Sequence, residues 1–399
     1  MASISSSQDV IIVGSGVIGL TTACTLQRRL PNVRSITVVA SEFPSPSPMI
    51  ADSPRYSQAL PISADYASMW AGAHYRPIPH LPASHPRYGS LTSQQQGFQS
   101  QLANEYCLAT HTARIMKHLA RATPEAGIEI MPGIEYLETP PPENIALKSG
   151  DVYAGDDDHF RVYTSAEMEA LNKRDAHDGT GQIKWACEYE TYVVNVHIYC
   201  AWLLQQFLQG GGKTAQKHLN SIGEALQAVP EAACPIIVNC SGTGLWDDPK
   251  IKVIRGQTVL VRNQYHSTIT RQCADGTWSF LIPRPLGGGT IVGGTKQVSD
   301  SETCGRPKER QTLLENAVKY FPDFVSAPKD FDVVQDNVGR RPWREGGMRI
   351  EMDELKQDGV KLPVVHAYGA GGRGYELSWG AAEQVCELVG RYSRLQSRL

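Results

Sequence analysis

The hydrophobic pattern of this 399-residue chain is dominated by short apolar runs that end in clusters of glycines. Such a run occurs near the start, in the middle and near the end of the chain, at residues 10–13, 235–238 and 362–365. Four apolar residues without a polar interruption are typical of a parallel strand that is buried on both faces. Glycines directly after such a strand let backbone N–H groups approach a ligand closely. Because two of these turns lie at opposite ends of the chain, they indicate a single large cofactor that both termini hold.

The first apolar run opens a βαβ unit. Residues 14–19 have GxGxxG spacing, residues 20–30 have the apolar spacing of a helix, and residues 36–40 predict a second strand. In this context the glycines are a dinucleotide-binding fingerprint: they allow a tight turn and a close approach of a pyrophosphate to the helix N-terminus. An acidic residue that binds the ribose is expected just past the second strand. The residues predicted to contact the dinucleotide here are Gly14, Gly16, Val17, Ile18, Gly19 and either Glu42 or Ser41.

The remaining apolar runs predict the organisation of the rest of the chain. Residues 193–208 and 381–389 are predicted helices, and residues 257–261, 278–282 and 290–294 are predicted strands separated by glycine-containing turns. The predicted fold class is therefore α/β, with a Rossmann-like dinucleotide-binding domain interleaved with a mostly antiparallel β-sheet domain that binds the substrate. The predicted segments are 1–75, 191–245 and 336–399 for the first domain, and 76–190 and 246–335 for the second.

Composition narrows the class of protein. A net charge of −3 and a hydrophobic fraction of 41% are typical of a globular enzyme and give no basic excess for nucleic acid. No apolar run reaches the ~18 residues of a membrane span, and the first residues lack the basic start of a secretion signal. The nine cysteines are scattered without CxxC spacing, which argues against a metal site or a disulfide framework. Two pairings stay open, Cys234 with Cys304 and Cys273 with Cys304. Two polar segments, 44–48 and 140–181, are predicted to lie largely on the surface.

Several motifs occur in one order along most of the chain, and together they resemble the D-amino-acid oxidase family, which includes the D-aspartate oxidases. The likeness is weakest between residues 140 and 181. The matching segments are 13–20, 67–75, 254–259, 282–285, 293–295, 338–342, 348–351 and the glycine-rich turn near the end of the chain.

The resemblance implies that the chain binds FAD and oxidises a D-amino acid to an imino acid, with the FAD accepting a hydride. Oxygen then reoxidises the flavin and yields hydrogen peroxide, while the imino acid hydrolyses to a 2-oxo acid and ammonia. Such a reaction depends mainly on how the substrate is oriented. Glu376 has an alternative, structural role as a partner of Arg373. Beyond the first turn, the residues implied to contact FAD are Ala67, Ser68, Ala71, Gly72, Ser241, Gly242, Gly371, Gly372, Arg373, Gly374, Tyr375 and Glu376.

The resemblance also implies a substrate pocket. Its carboxylate-binding guanidinium is assigned to Arg349, whereas Arg340, Arg341 and Arg344 are expected to be structural or to face solvent. Phe280 stands where the family usually has a tyrosine, so a hydrogen bond worth ~1–3 kcal/mol is lost. Lys296 is expected either to pair with the second carboxylate of an acidic substrate or, slightly preferred, to extend into solvent. Gly372 and His74 complete the predicted pocket.

Two further readings stay open beside the D-amino-acid oxidase, which is expected to accept D-aspartate or D-glutamate. One is a flavin oxidase of glycine or a small amine, and the other is a flavin-binding protein without turnover. A nicotinamide dehydrogenase would leave the last glycine turn without a role. The tripeptide Ser397-Arg398-Leu399 resembles the Ser-Lys-Leu address, so the peroxisomal matrix and its import receptor are expected. A homodimer is one option for the assembly.

Overall fold

The computed structural model describes residues 8–45, 62–151, 153, 159–174, 181–357 and 359–396. Parts of three predicted segments lie outside these residues: 46–48 of the first polar segment, 152, 154–158 and 175–180 of the second, and the tripeptide 397–399. The α-helices of the described residues are α1 Val17–Arg29, α2 Ala67–Trp70, α3 Ser93–Ala122, α4 Pro142–Ile145, α5 Ser165–Arg174, α6 Val196–Gln209, α7 Ala225–Ala228, α8 Pro307–Tyr320 and α9 Gly374–Gln396. The strands are β1 Asp9–Val13, β2 Ser35–Ala40, β3 Ile128–Leu137, β4 Arg161–Val162, β5 Trp185–Val194, β6 Lys213–Gln216, β7 Ile236–Asn239, β8 Ile251–Val261, β9 Thr268–Gln272, β10 Trp278–Pro283, β11 Thr290–Gly293, β12 Gln297–Val298, β13 Val333–Arg344, β14 Arg349–Gln357 and β15 Val360–Tyr368.

The first sheet is the predicted dinucleotide-binding sheet. Its strand order is β14-β15-β7-β1-β2-β6, and all its pairings are parallel except that of the edge strand β14 with β15. Every residue of β1 and β7 is buried, because helices cover both faces of a parallel sheet. Helices α1, α6 and α9 pack together beside it. The order reverses at β1, whose neighbours β2 and β7 lie far apart in the sequence.

The second sheet follows the order β12-β8-β11-β10-β9-β3-β5-β4, and β13 also pairs with β8. All its pairings are antiparallel except that of β3 with β9, which confirms the predicted mostly antiparallel sheet. The predicted segments of the first domain contain every strand of the first sheet. However, β5 and β13 cross the predicted boundaries at 191 and 336, because both strands pair along their whole length within the second sheet.

Two local predictions differ from the structure. The helix predicted from residue 193 begins at Val196, since the two residues before Asn195 complete β5. The last helix begins at Gly374 rather than at 381, so Tyr375 and Glu376 are helical residues and not part of the turn. The segment 140–181 was predicted to lie largely on the surface; within its described part, Tyr153 and Phe160 are buried and their rings are tilted against each other.

The topology brings the three glycine turns to one edge. They follow β1, β7 and β15, which are adjacent parallel strands whose carboxyl ends meet there. In open α/β sheets a ligand binds at this edge, where the strand order reverses. Within the described residues, no helix is long and apolar enough to cross a membrane, and no cluster of side chains is suited to hold a metal ion. All nine cysteines are free thiols, so neither of the pairings left open is formed.

Candidate cofactor and substrate site

The three glycine turns touch one another directly. A Cβ built on Gly14 would lie 2.4 Å from the carbonyl oxygen of Cys240, so the first turn packs on the backbone of the second. The N–H of Gly369 donates to the carbonyl oxygen of Gly242 at 3.0 Å, which joins the second turn to the third. A Cβ on Gly374 would lie 3.3 Å from Val17 Cγ1, at the start of α1. The turns therefore form one continuous cradle, as their positions in the sequence predicted.

The first turn fits the pyrophosphate of a dinucleotide such as FAD. Gly14 has a φ of +110°, and a Cβ on Gly19 would lie 2.0 Å from the carbonyl oxygen of Gly14. Helix α1 has no acidic residue in its first turn, and Gly16 has no side chain with which to cap it. The hydroxyl of Ser68 accepts the N–H of Val17 at 3.0 Å. The other N–H groups of the first turn, including those of Ile18 and Gly19, have no carbonyl acceptor within the helix. They are therefore suited to donate hydrogen bonds to an anion.

Of the two candidates for the ribose, Glu42 is better held than Ser41. Both follow β2 at its carboxyl end. The carboxylate of Glu42 accepts the N–H of Ser63 at 2.8 Å, and its backbone carbonyl accepts the hydroxyl of Ser15. The side chain of Ser41 is exposed, while its carbonyl oxygen accepts an amide N–H of Gln216 at 3.0 Å. One oxygen of the Glu42 carboxylate thus stays available beside the first glycine turn.

The segment 67–72 connects the cradle to the second sheet. The carbonyl oxygen of Ser68 accepts the Tyr375 hydroxyl at 2.9 Å, and that of Ala71 accepts a guanidinium N–H of Arg284 at 2.9 Å. A Cβ on Gly72 would lie 2.7 Å from Ile282 Cδ1, so the glycine allows close packing on β10. These bonds hold the segment between the two sheets. The resemblance implied that residues of this segment contact FAD.

Two charged residues, Arg373 and Glu376, hold the last glycine turn in place. Arg373 lies 3.4 Å from Glu376 and 3.4 Å from Glu105, which confirms the alternative, structural pairing. Glu376 also accepts the backbone N–H of Arg76 at 3.1 Å, and burial raises the pKa of its carboxyl. The phenol of Tyr375 is taken up by Ser68. These side chains position the backbone of Gly371 and Gly372 rather than line the cradle themselves.

The structure does not leave Arg349 free to bind a ligand. Its guanidinium donates to Glu351 at 2.6 Å, to Asp353 at 2.8 Å and to the Tyr368 hydroxyl at 3.0 Å. Burial opposes the charge, but the bonds to Tyr368 and Glu351 still raise the pKa of Arg349. His366 lies 3.6 Å from Asp353 in the same group. We call Arg349, Glu351, Asp353, His366 and Tyr368 the edge-strand cluster; in it the predicted substrate arginine is already paired with two carboxylates and a phenol.

Arg341, expected to be structural or solvent-facing, has the opposite environment. No carboxylate in the described part of the chain lies within ion-pairing distance of its guanidinium, whose one hydrogen bond to the described residues is a long one, 3.4 Å to the carbonyl oxygen of Thr295. A Cβ on Gly256 would lie 2.3 Å from Nη2, and one on Gly372 would lie 3.9 Å from Cδ. Burial lowers the pKa of Arg341, although its side chain is still partly accessible. The guanidinium of Arg341 is therefore largely surrounded by protein, still reachable from solvent and without a carboxylate partner among the described residues. It lines a recess, and the absence of side chains at Gly256 and Gly372 leaves space for it.

His74 and Phe280 belong to the same recess. The His74 ring bonds the Thr268 hydroxyl through Nδ1 at 2.7 Å, and burial lowers its pKa to about 3, so the imidazole is neutral at physiological pH. The ring of Phe280 packs on Gly293 and Gly294: a Cβ on Gly293 would lie 2.1 Å from Phe280 Cζ. Trp278 meets Phe280 edge to face, with ring centroids 5.6 Å apart. We call His74, Arg76, Trp278, Phe280 and Arg341 the substrate recess.

Lys296 does not join this group. It follows Thr295 in the link between β11 and β12, and its side chain is exposed to solvent. No carboxylate of the described residues lies within ion-pairing distance of its ammonium group. The structure therefore agrees with the preferred alternative of the sequence analysis, a lysine that extends into solvent.

Comparisons with known proteins agree with this geometry. The family model described as DAO, FAD dependent oxidoreductase, matches residues 9–388. The chain is 48% identical to a D-aspartate oxidase of Talaromyces thermophilus over 385 residues, which cover 95% of this chain and 94% of that protein. It is 29% identical to a D-amino-acid oxidase of Schizosaccharomyces pombe, with 94% of each chain covered. The crystal structure of a glycine oxidase from Geobacillus kaustophilus superposes with a TM-score of 0.62 at 16% identity, covering 96% of this chain and 94% of that one. At that identity the likeness concerns the fold alone.

Proposed function

Since the chain belongs to the DAO family of FAD-dependent oxidoreductases, we propose that it oxidises D-amino acids, and acidic ones such as D-aspartate in preference to neutral ones. The observation that carries this proposal is its 48% identity to a D-aspartate oxidase over 95% of the chain. The products are a 2-oxo acid, ammonia and hydrogen peroxide. The unpaired guanidinium of Arg341 beside the glycine cradle supports a substrate that carries a carboxylate.

Residues that fit FAD are on one edge of the first sheet. The first-turn amides of α1 and the backbone of Gly14 suit the pyrophosphate, and the free oxygen of Glu42 suits the ribose. The segment 67–72 and the turn around Gly372 face the gap between the sheets. When bound, FAD supplies the acceptor for the two electrons and the hydrogen that leave the substrate Cα.

Arg341 is the group that orients the substrate. A guanidinium presents two parallel N–H donors that match a carboxylate, and such charge-assisted bonds are about twice as strong as neutral ones. In its present environment Arg341 has no competing anion, so the incoming carboxylate supplies the missing charge. Holding the carboxylate fixes the position of the adjacent Cα, which is the main contribution that orientation makes to the rate.

The other recess residues restrict the substrate without adding charge. Phe280 presents an aromatic edge and has no hydroxyl, so it cannot support the carboxylate with a hydrogen bond. His74 is neutral, and its Nδ1 is committed to Thr268, so it does not offer a cation that would compete with Arg341. The apolar wall of Phe280 and Trp278 excludes water, which strengthens the interaction between the carboxylate and the guanidinium.

The test is substrate-dependent oxygen consumption by the purified, FAD-loaded protein. D-Aspartate and D-glutamate are expected to give peroxide and the matching 2-oxo acids, with a higher kcat/KM than D-alanine. L-Aspartate is expected to give none. Oxidation of glycine or simple amines with no D-amino acid turnover would contradict the proposal, and so would a yellow protein that oxidises no amino acid.

A further inference from the structure

Arg76 is a second enclosed arginine in the substrate recess. Two hydrogen bonds hold its backbone: the N–H of Tyr75 donates to the carbonyl oxygen of Tyr192, and its own N–H donates to the Glu376 carboxylate at 3.1 Å. The guanidinium lies over the ring of Trp278, with Cζ 4.9 Å from the ring centroid. The side chain remains partly accessible although protein surrounds it. A fixed backbone and an aromatic platform hold the guanidinium in one place.

The guanidinium of Arg76 has no hydrogen-bond partner among the residues that the structure describes. The two nearby carboxylates bond other donors. Glu135 accepts the hydroxyls of Tyr153 at 3.1 Å and Tyr189 at 3.0 Å, and Glu376 bonds the backbone rather than the guanidinium. These carboxylates raise the pKa of Arg76 against the opposing effect of burial, so the side chain is charged. Its N–H donors are therefore present and unused.

One aromatic wall connects Arg76 to Arg341. Trp278, under the Arg76 guanidinium, meets Phe280 edge to face. The Phe280 ring packs in turn on Gly294, where a Cβ would lie 2.8 Å from its Cζ. The residue after Gly294 supplies the carbonyl oxygen that bonds the Arg341 guanidinium. The two unpaired cations thus lie on the same wall of the recess, separated by apolar surface.

We propose that Arg76 binds the second carboxylate of an acidic D-amino acid while Arg341 binds the carboxylate next to Cα. This rests on the proposed function and names the residue that makes the substrate class acidic. A bound dicarboxylate gives each guanidinium a carboxylate partner. A substrate with a neutral side chain would remove Arg76 from water without giving its guanidinium a hydrogen-bond partner. The ring of Trp278 stabilises the cation from one face and leaves its N–H edge for the ligand.

Two other assignments explain the structure less well. Lys296, the alternative ligand for the second carboxylate, is exposed to solvent. A purely structural Arg76, which neutralises Glu135 and Glu376, would be expected to hydrogen-bond at least one of them through its guanidinium. Glu135 instead accepts two tyrosine hydroxyls, while Glu376 accepts the backbone N–H of Arg76 and pairs with Arg373.

The binding test uses two ligands that differ only at one end, succinate and butyrate, titrated calorimetrically into the FAD-loaded protein. Wild type is expected to bind succinate more tightly. In Arg76→Met the affinity for succinate is expected to fall about 10- to 100-fold, the size of a lost charge-assisted bond, while that for butyrate stays within about 3-fold. Arg76→Lys is expected to recover part of the loss. Arg87→Met, which removes an exposed arginine, is the matched control.

Turnover gives an independent reading of the same variants. Arg76→Met is expected to raise KM for D-aspartate more than it lowers kcat, and to leave kcat/KM for D-asparagine or D-methionine unchanged or higher. Equal losses on acidic and neutral substrates would overturn the inference and indicate a structural role. So would retention of the succinate preference in Arg76→Met together with its loss in Lys296→Met. If wild type oxidises no D-amino acid, the proposed function fails, but the succinate preference still decides the role of Arg76.

Discussion

The edge-strand cluster and the substrate recess each contain an arginine withdrawn from bulk water, but they treat its charge in opposite ways. Arg349 has three hydrogen-bond partners, two of them carboxylates, and these bonds raise its pKa. Arg341 has one long bond to a backbone carbonyl, and burial lowers its pKa. A protein does not leave an enclosed charge unpaired without cost. In the proposed function the unpaired cation is the one that a ligand completes, whereas the paired cation stabilises the fold.

The largest effect that tests this comparison is the replacement Arg341→Met. Loss of a desolvated partner of a charge costs about 2–5 kcal/mol, so kcat/KM for D-aspartate is expected to fall about 30- to 5,000-fold. The melting temperature is expected to stay the same or to rise, because an uncompensated cation has been removed. Steady-state kinetics and thermal unfolding of the FAD-loaded variant check both. A variant that loses stability and keeps its activity would reverse the assignment.

The matched replacement Arg349→Met is expected to do the opposite. It leaves Asp353 and Glu351 without their shared cation, so the free energy of unfolding is expected to decrease by about 1–2 kcal/mol. The value is modest because Glu351 is exposed and solvent replaces part of the interaction. Activity on D-aspartate is expected to stay within about 3-fold of wild type. Urea unfolding at a fixed FAD concentration measures the first quantity, and an unchanged unfolding midpoint would contradict it.

A smaller change tests whether the position of Arg341 matters as well as its charge. In Gly256→Ala, the added methyl group would lie 2.3 Å from Nη2 and must displace the guanidinium. We expect binding of butyrate to weaken about 10-fold, because two parallel bonds to a carboxylate require a fixed fork. Gly97→Ala is the control, since a Cβ there meets nothing within 4 Å. Equal affinity in both variants would show that the guanidinium does not bind from that position.

The smallest effect is the dependence of stability on pH. Each region has a histidine whose pKa is lowered, mainly by burial: to about 4 for His366 and to about 3 for His74. Their folded pKa values lie below the ordinary value of about 6.5, so the unfolded chain binds more protons as the pH falls from 6.5 towards 4. The free energy of unfolding is therefore expected to decrease over this range. In His366→Asn the decrease between pH 7 and pH 5 is expected to be smaller, measured by urea unfolding, whereas the exposed His218→Asn should follow wild type. If the free energy of unfolding of His366→Asn changed with pH as steeply as that of wild type, His366 would not contribute to the pH dependence.

The cradle was predictable from the sequence because its signals are local. An apolar run, a glycine cluster and a helical pattern follow one another within about 20 residues at the first turn, and the strand order does the rest. The pairing of Arg349 also had a local signal, which the prediction of a substrate arginine did not use. Arg349, Glu351 and Asp353 are spaced two residues apart along β14, so their side chains lie on one face of the strand. There the cation and the two carboxylates can form ion pairs.

Arg341 and Arg76 were beyond local reasoning. What distinguishes Arg341 is that no carboxylate among the described residues lies within ion-pairing distance of it, and that depends on strands β8 and β13 pairing across about 80 residues of sequence. Arg76 acquires its meaning from Trp278, which the chain reaches about 200 residues later. In the sequence, Arg76 lies in a short segment without helical or strand periodicity, two residues after His74 and directly before Pro77. The sequence locates the cofactor, therefore, while the pairing of charges in three dimensions locates the substrate.

The most direct test of the central claim is a titration of butyrate into the FAD-loaded wild type, Arg341→Met and Arg349→Met. Butyrate carries one carboxylate and is not oxidised, so it reports the carboxylate site alone. Arg349→Met is expected to bind butyrate as wild type does, whereas Arg341→Met is expected not to bind it measurably. Loss of binding in Arg349→Met with retention in Arg341→Met would contradict the account and return the substrate to the edge strand.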